Sequence, residues 1–158
     1  MVKFILIILL FIPLSGCDDQ EVSKVDRPLF QEITNETQSG QIYEFQVELA
    51  LTPQEQATGL MFRESMKDDH GMLFYFGQER HAGFWMKNTL IPLDMIFIRY
   101  DGVIHHIHEN AIPNDLTSIT SQGLVLGVLE INGGLSQKLG ISTGDKVKHQ
   151  LFERNRAQ

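Results

Sequence analysis

The chain has 158 residues, of which 42% are hydrophobic and 21% are charged, and its 13 basic and 20 acidic residues give a net charge of −7. This length predicts one globular domain with additional segments and excludes a second domain with a hydrophobic core of its own. The acidic balance excludes a typical nucleic-acid binder, since such proteins present basic surfaces to phosphate. With one cysteine in the chain, an intramolecular disulfide is also excluded.

The N-terminal segment has the pattern of an export signal. Lys3 precedes an apolar run over residues 4–12, which is too short to span a bilayer and is typical of the hydrophobic region of a signal peptide. The run leads into Leu14-Ser15-Gly16-Cys17, which resembles the lipobox of bacterial lipoproteins. We therefore expect residues 1–16 to be a signal peptide and Cys17 to be lipidated. An ordinary cleaved signal followed by an unmodified cysteine is the alternative.

Residues 17–27 are expected to form the lipidated cysteine and a polar tether, because they offer little to bury. Asp18 resembles the signal that keeps lipoproteins of enteric-type bacteria in the inner membrane, so the expected location is the periplasmic face of that membrane. Cleavage after residue 16 would remove Lys3 alone among the charged residues and leave 12 basic and 20 acidic residues, a net charge of −8. Because this charge disfavours attachment to anionic lipid, we expect the acyl chains to provide the membrane contact.

The domain is expected to span residues 28–153 and to begin with strands. Residues 42–51 alternate apolar and polar side chains, the pattern of a half-buried strand. Thr52-Pro53-Gln54-Glu55 is a capping box with proline at the first helical position, so it predicts a helix that runs to about Phe62. Farther along, Asp101-Gly102 separates two apolar runs and predicts a hairpin.

The other strands and the second helix are predicted from short apolar runs bounded by turn residues. Strands are predicted over residues 29–33, 71–76, 82–87, 94–100, 103–109, 124–131 and 146–152, a helix over 135–139, and a frayed tail over 154–158. Many short strands with two short helices indicate a mainly β (α+β) domain, a compact antiparallel β-sandwich or barrel.

Residues 84–98 contain the only tryptophan, Trp85, and one acid, Asp94, in a run that is otherwise largely apolar. The run around Asp94 is typical of a strand covered on both faces. A carboxylate in such a place costs roughly several kcal/mol unless donors or a cation satisfy it. Two interpretations stay open. Asp94 caps the adjacent loop by accepting backbone N–H groups, or it is an acid with a shifted pKa in a pocket.

Four ordered blocks resemble the signature blocks of the domain-of-unknown-function family 192. The blocks are Gly59-Leu60-Met61-Phe62-Arg63, Gly71-Met72-Leu73-Phe74, Phe84-Trp85-Met86-Lys87-Asn88-Thr89 with Pro92-Leu93-Asp94, and Val128-Leu129-Glu130. The resemblance implies a mainly β domain that often carries an export signal, and it implies no established activity. The polar or distinctive motif positions are Arg63, Trp85, Asn88, Thr89, Asp94 and Glu130. Residues 124–127 depart from the family pattern, which is usually aromatic or basic there, so no ligand contact is expected from them.

These positions predict a binding site for a small molecule, a glycan or another component of the cell envelope. The expected ligand contacts are Arg63, Trp85, Asn88, Thr89 and Asp94, with Trp85 at the rim of the pocket. No cofactor and no catalysis are expected.

An enzyme is the first alternative. A hydrolase or lyase acting on an envelope substrate would use Asp94 and Glu130 as general acid and base. A structural ion pair between one of these acids and Arg63 competes with that hypothesis. Serine-hydrolase and P-loop motifs are absent from the sequence. A protein-interaction module is the other alternative, and an exposed apolar patch would mark it.

His106 and His108 lie two residues apart on a predicted strand and share a face. Such a pair can begin a zinc or copper site when a further ligand approaches from elsewhere. The solvated face of a hairpin gives the same spacing, and methionines in apolar runs are typical of flexible core packing. The sequence therefore assigns no metal and leaves His106 and His108 as candidate ligands only.

Overall fold

A computed structural model of the chain describes residues 29–153. The predicted signal peptide, Cys17, the tether and the tail over 154–158 lie outside the described residues. Among the helices within 29–153, none combines the length and the apolar character needed to cross a bilayer.

Seven strands and three short helices make up the described part of the chain. In chain order they are β1 (Gln31–Glu36), β2 (Ile42–Ala50), α1 (Pro53–Thr58), β3 (His70–Phe84), β4 (Leu93–Ile98), β5 (Ile104–Ala111), β6 (Ile119–Asn132), α2 (Leu135–Leu139), β7 (Lys146–Lys148) and α3 (Gln150–Glu153).

The strands form one sheet in the order β5-β4-β6-β3-β2-β1-β7. A bridge between Val103 and Lys146 joins the two edges of this sheet, and the Val147 N–H donates to the Gly102 carbonyl at 2.8 Å. The sheet therefore curls into a barrel-like shape, which confirms the predicted mainly β architecture. All pairs are antiparallel except β2 with β3, which run parallel because α1 and the segment after it return the chain to the end of the sheet where β2 began.

The capping box predicted at the start of α1 is present. The Glu55 N–H donates to Thr52 Oγ1 at 3.2 Å, and the Thr52 N–H donates to Glu55 Oε2 at 2.8 Å. The helix ends at Thr58, earlier than the predicted Phe62, because Gly59 takes a positive φ of 48°. A Cβ at Gly59 would lie 3.1 Å from the Phe74 ring, so the chain leaves the helix in close contact with β3.

Two strand predictions need correction. The sequence predicts separate strands over residues 71–76 and 82–87, but one continuous strand, β3, covers residues 70–84 and ends before Trp85. Its register with β6 is irregular between Tyr75 and Arg80. The predicted final strand over 146–152 stops at Lys148, and α3 follows. The Phe152 N–H donates to the His149 carbonyl at 3.0 Å, and this turn places the fully buried Phe152 against Tyr75. The chain therefore has a third helix that its apolar pattern did not reveal.

Apolar side chains fill both faces of the central strands. One core lies inside the barrel and includes Ile96 and Ile98 of β4. A second core lies on the opposite face, where α1 and residues 84–92 cover the sheet, and it includes Met95 and Phe97. Residues 95–98 are completely buried, which confirms the prediction of a strand covered on both faces.

Candidate functional site

Glu130 is a buried acid in the middle of the sheet. It lies on β6 between β3 and β4, where its backbone is paired with Met72 and Met95. Its side chain is on the face of the second core, with Val128, and the residue is 4% exposed. Among residues 29–153, no donor or cation contacts its carboxyl group, and burial alone raises the pKa of Glu130 to about 8. At neutral pH this carboxyl group therefore mostly keeps its proton.

A cavity of about 180 Å³ lies over Glu130, and we call it the Glu130 cleft. Its walls come from α1 and the turn after it, from β3, and from residues 84–89 before β4. Leu60 follows the helix, Phe74 and Phe76 come from β3, and Thr89 comes from the loop. The cleft thus combines apolar and aromatic side chains with polar ones, the mixture found in small-molecule sites; its polar lining residues are Gln56, Thr58, Arg80, Thr89 and Glu130.

Packed aromatic rings hold one wall of the cleft in place. The Phe74 and Phe84 rings meet edge to face with centroids 5.1 Å apart, and the Phe84 ring packs on Phe97 at 6.1 Å. Trp85 stands at the mouth, with 53% of its surface exposed, and the Lys87 Nζ lies 5.4 Å from its ring centroid. The mouth therefore offers an accessible indole above a fixed interior.

Arg80 is the second polar feature of the cleft. Its guanidinium carbon lies 3.8 Å from the centroid of the Phe76 ring, a cation–π contact that orients the side chain. Within residues 29–153, no carboxylate lies within ion-pair distance of Arg80. The Arg80 side chain is thus oriented by the Phe76 ring and exposed to solvent at the edge of the cleft.

Asp94 occupies quite different surroundings. Its Oδ1 accepts hydrogen bonds from the Asn110 and Gly134 N–H groups, both at 2.8 Å. Its Oδ2 accepts from the Ser136 N–H at 2.8 Å and from the Ser136 hydroxyl at 2.6 Å. The residue is completely buried. Asp94 thus ties β4 to the end of β5 and to the start of α2, as a carboxylate with a structural role does.

The structure does not bring Asp94 and Glu130 together. Asp94 pairs with Ile131 across the β4–β6 ladder, and Glu130 is the next residue on β6. Because side chains alternate between the faces of a sheet, the two carboxyl groups point to opposite faces. The acid–base pair of the enzyme alternative therefore does not form. Arg63 joins neither acid, since its Nη1 lies 2.7 Å from Glu48 Oε1.

Of the five predicted ligand residues, Trp85 and Thr89 line the Glu130 cleft. Asn88 does not line the cleft: its carbonyl accepts the Phe62 N–H at 2.8 Å, and it adopts a positive φ of 54° in the loop. The sequence reasoning missed Arg80. The available signal is a basic residue just after the aromatic run Phe74-Tyr75-Phe76, but Arg80 lies between the two strands that the sequence predicts there.

His106 and His108 lie on β5, the edge strand of the sheet next to β4. The His106 ring stacks on Phe97 at 5.8 Å, and its Nε2 lies 3.0 Å from Gln122 Nε2. Burial lowers the pKa of His106. In the part of the chain that the structure describes, no group of three or more histidine, cysteine, aspartate or glutamate residues is arranged to hold a metal ion.

A larger cavity of about 450 Å³ lies next to α1, with Glu48 and Met72 among its lining residues. Both of its acids are engaged: Glu48 is paired with Arg63, and Glu55 accepts the Thr52 N–H in the capping box. We therefore place the candidate site in the smaller Glu130 cleft, where a buried acid has no donor among the described residues.

Most of the described chain matches a known family. A family model, DUF192, described as "Uncharacterized ACR", matches residues 34–149. The chain belongs to the DUF192 family. The match confirms the resemblance of the four sequence blocks, and the family description names no activity.

Two solved structures share the fold of this DUF192 chain. One, from Sinorhizobium meliloti 1021, is described as a candidate transcription regulator. Its sequence is 46% identical to this chain, and the TM-score is 0.74. The match covers 75% of this chain and 92% of that chain. The other, from Novosphingobium aromaticivorans DSM 12444, is described as a protein of unknown function; it is 47% identical with a TM-score of 0.74, covering 76% of this chain and 85% of that chain. The comparison with curated proteins finds no match.

Proposed function

We propose that this DUF192 protein binds a small ligand in the Glu130 cleft and does not act as a catalyst. The observation that carries the proposal is the Glu130 carboxyl group, buried in the cleft without a donor among the described residues. Leaving a buried polar group unpaired costs about 1–3 kcal/mol. A ligand that hydrogen-bonds to Glu130 would offset this cost, and that gain would contribute directly to affinity.

Binding is favoured over acid–base catalysis because the second acid is missing from the cleft. A glycosidase-like mechanism needs two carboxyl groups on either side of one bond. Asp94, the other candidate acid, points to the opposite face and already accepts four hydrogen bonds. The ligand contacts that we propose are therefore Glu130, Arg80, Trp85 and Thr89, with Asp94 supporting the fold.

The location that we propose is the periplasmic face of the inner membrane, with Cys17 as the lipidated anchor. The lipobox-like Leu14-Ser15-Gly16-Cys17 and the preceding apolar run support this proposal. A binding domain held at that surface would meet small components of the envelope. We do not extend the regulator description of the Sinorhizobium meliloti protein to this chain, whose net charge of −7 disfavours binding to nucleic acid.

Exposed apolar residues favour a protein-interaction module as a second candidate function. Trp85 and Leu116 line one shallow groove beside the cleft and are 53% and 65% exposed. Exposed apolar patches of this kind mark interaction sites when they are contiguous. A partner that bound here would cover the mouth of the Glu130 cleft.

A fragment screen by ¹H–¹⁵N NMR on the full chain in detergent micelles tests the leading proposal. The single tryptophan gives one indole N–H signal, which reports on the mouth of the cleft. We expect fragments that shift this signal together with the Leu60 and Thr89 amides. The Glu130→Leu variant should lose these shifts, whereas Glu44→Leu, at an exposed position on β2, should keep them. Shifts that survive Glu130→Leu, or a screen without cleft signals, would contradict the proposal.

A further inference from the structure

We infer that an exposed apolar surface beside the mouth of the Glu130 cleft contacts the lipid bilayer at the level of the headgroups. We call this surface the loop face, and its residues are Phe62, Trp85, Leu90, Ile112 and Leu116. The inference rests on the proposed lipid anchor at Cys17 and adds an orientation to it. In this orientation the mouth of the cleft faces the membrane, so a ligand would enter the cleft from the headgroup region.

The loop face concentrates exposed apolar side chains in a small part of the chain. Of the nine large apolar residues that are exposed within 29–153, five belong to the loop face. They come from three loops, residues 60–64, 85–91 and 112–116, whereas the other four are scattered over the domain. Single exposed apolar residues are normal, but a cluster of them marks an interaction surface.

Backbone hydrogen bonds hold the three loops side by side. The first loop joins the second where the Phe62 N–H donates to the Asn88 carbonyl at 2.8 Å. The third loop joins the second where the Met86 N–H donates to the Asp115 carbonyl at 2.8 Å. The loop face is therefore one surface of the folded domain, although its side chains come from separate parts of the sequence.

Phe62 occupies a backbone conformation that does not suit its side chain. Its φ of 62° lies in the left-handed region, which bulky residues rarely adopt, and the residue is 67% exposed. Glycine or asparagine would take this conformation with less strain. The packing of the described residues does not require an aromatic ring here, whereas a contact with lipid would use one.

The three loops carry no net charge, although the protein is acidic. They contain two basic residues, Arg63 and Lys87, and two acidic residues, Glu64 and Asp115, whereas the whole chain has a net charge of −7. An acidic surface would be repelled by anionic lipid, but a neutral apolar surface is not. The Lys87 Nζ lies 5.4 Å from the centroid of the Trp85 ring. Tryptophan and lysine are side chains that membrane proteins place at the membrane–water interface.

The proposed anchor keeps the loop face within reach of the bilayer. Residues 18–28 connect Cys17 to Leu29, the first described residue, and they span at most roughly 40 Å. A domain of this size has a diameter of roughly 35 Å, so an anchored domain stays at the membrane surface. Leu29 lines a groove with Gly59, and Gly59 also lines the Glu130 cleft with Trp85. The chain therefore enters the domain beside the loop face, and the bilayer is the surface that this face meets in every anchored molecule.

Trp85 can report the depth of the loop face because it is the only tryptophan in the chain. The full chain is purified from bacterial membranes with its lipid and reconstituted into phosphatidylcholine vesicles, with and without lipid brominated near the headgroup end of the acyl chain. We expect the brominated lipid to lower the Trp85 fluorescence about twofold, because an indole at the headgroup level lies within contact distance of the bromine.

The matched control moves the reporter to the other end of β4. The loop over 85–91 lies before the start of this strand, and Tyr100 follows its end. Tyr100→Trp, combined with Trp85→Phe, places the only indole at a position of similar exposure, 51% compared with 53%. The fluorescence of this variant should not respond to the brominated lipid. Equal quenching at the two positions would overturn the inference, because no particular face would then contact the bilayer.

Phe62→Asn tests the loop face by a substitution that the backbone tolerates. Asparagine accepts a positive φ more readily than phenylalanine, so the urea midpoint of unfolding should stay equal or rise. The quenching of Trp85 should decrease because an apolar contact with lipid is lost. Leu124→Asn is the control, since Leu124 is exposed on β6 outside the loop face, and it should keep the quenching. The reverse order of the two variants would overturn the assigned surface.

The outcomes separate this inference from the proposed anchor. A lipidated chain whose Trp85 is not quenched overturns the bilayer contact and leaves the anchor in place. A chain without lipid contradicts the anchor, and the inference fails with it. If neither the brominated lipid nor aqueous iodide quenches Trp85, a second copy or another protein covers the loop face, which also overturns the bilayer contact. The fragment screen tests ligand binding in the cleft independently of all these results.

Discussion

Asp94 and Glu130 illustrate how two acids on neighbouring strands acquire opposite properties. Asp94 accepts four hydrogen bonds from residues that follow it by 16, 40 and 42 positions in the sequence. Glu130 faces a cleft in which the described residues offer it no donor. The difference lies entirely in what the rest of the fold brings to each carboxyl group.

Substitution of Asp94 by asparagine should destabilise the fold by roughly 3–5 kcal/mol. The asparagine side chain has one oxygen acceptor instead of two, and its NH₂ group would point at backbone or hydroxyl donors that now hydrogen-bond to the carboxylate. Urea unfolding followed by circular dichroism measures the change. The control is Asp115→Asn, whose carboxylate accepts from Thr117 in an exposed turn, and its effect should be much smaller. Equal losses in the two variants would contradict the structural role of Asp94.

Glu130 should make the stability of the fold depend on pH. Its pKa in the folded protein, about 8, lies above its ordinary value of 4.5. The folded state therefore binds more protons than the unfolded state between these pH values, and stability is highest below pH 4.5 and falls as the pH rises towards 8. Against the Glu130→Gln variant, the chain should lose about 1.4 kcal/mol per pH unit in this window.

Urea unfolding of both proteins at pH 5, 6.5 and 8 checks this prediction. The difference between the two unfolding free energies cancels the contributions of other titrating groups, such as His149, whose pKa is lowered by burial. If the free energies of unfolding of the two proteins change with pH in the same way, Glu130 is solvated in the native state. The proposed binding function would then lose the buried carboxyl group on which it rests.

At the scale of the elements, local signals were reliable wherever a few neighbouring residues fix the backbone. The capping box at Thr52 and Glu55 starts α1 as predicted. The Asp101-Gly102 turn joins β4 to β5, with Gly102 at a φ of 80° and Asp101 Oδ1 accepting the Val103 N–H at 3.1 Å. Such turns depend on side chains within a few positions, so the sequence reveals them.

Gly71 permits the close packing of β3 against β6. A Cβ at this position would lie 2.6 Å from the Glu130 carbonyl oxygen, which belongs to the backbone and cannot move aside cheaply. Gly71→Ala should therefore destabilise the protein by about 1–3 kcal/mol. Thermal unfolding provides the measurement.

The matched control for Gly71→Ala is Gly83→Ala in the same strand, where a Cβ would lie 3.8 Å from Ser118 Oγ, an ordinary contact distance. We expect little change in its unfolding temperature. If both alanine variants unfold at the same temperature, the close approach of β3 and β6 is not what requires glycine at position 71.

At the scale of the whole molecule, two tertiary features form the cleft. The barrel closes where residues 102–104 meet residues 144–147, and this leaves the opposite face of β3, β4 and β6 to be covered by α1 and residues 84–92. The covering segments fill most of that face and leave the Glu130 cleft between them. The proposed binding site is therefore a gap in the second core, between elements distant in sequence.

The proposed membrane anchor predicts lipid attachment at one residue. Cells that express the chain should incorporate labelled palmitate into it, and Cys17→Ser should abolish the label, because the thiol and the new N-terminus are the acylation sites of a lipobox cysteine. Ser23→Ala in the tether is the control and should keep the label. Label that persists in Cys17→Ser, or an unlabelled original chain, would contradict the lipoprotein proposal.

The sequence by itself determined the acidic character, the mainly β class, the capped helix, the hairpin turn and the family blocks, because each depends on composition or on residues close in the chain. The rim position of Trp85 in a ligand pocket stays a prediction. It could not determine the parallel β2–β3 pair, the continuity of β3 or the helical turn before Phe152. These depend on which strands meet across long stretches of chain.

The chemistry of the site was decided by tertiary structure alone. A carboxyl group in an apolar run gives the same sequence pattern whether the fold surrounds it with donors or leaves it facing a cleft. Asp94 and Glu130 therefore could not be told apart in the sequence. Because side chains alternate between the faces of a sheet, the carboxyl groups of Asp94 and Glu130 lie on opposite faces. Asp94 accepts hydrogen bonds from residues of β5 and α2. Glu130 instead lies in a cleft lined by aromatic side chains and Arg80.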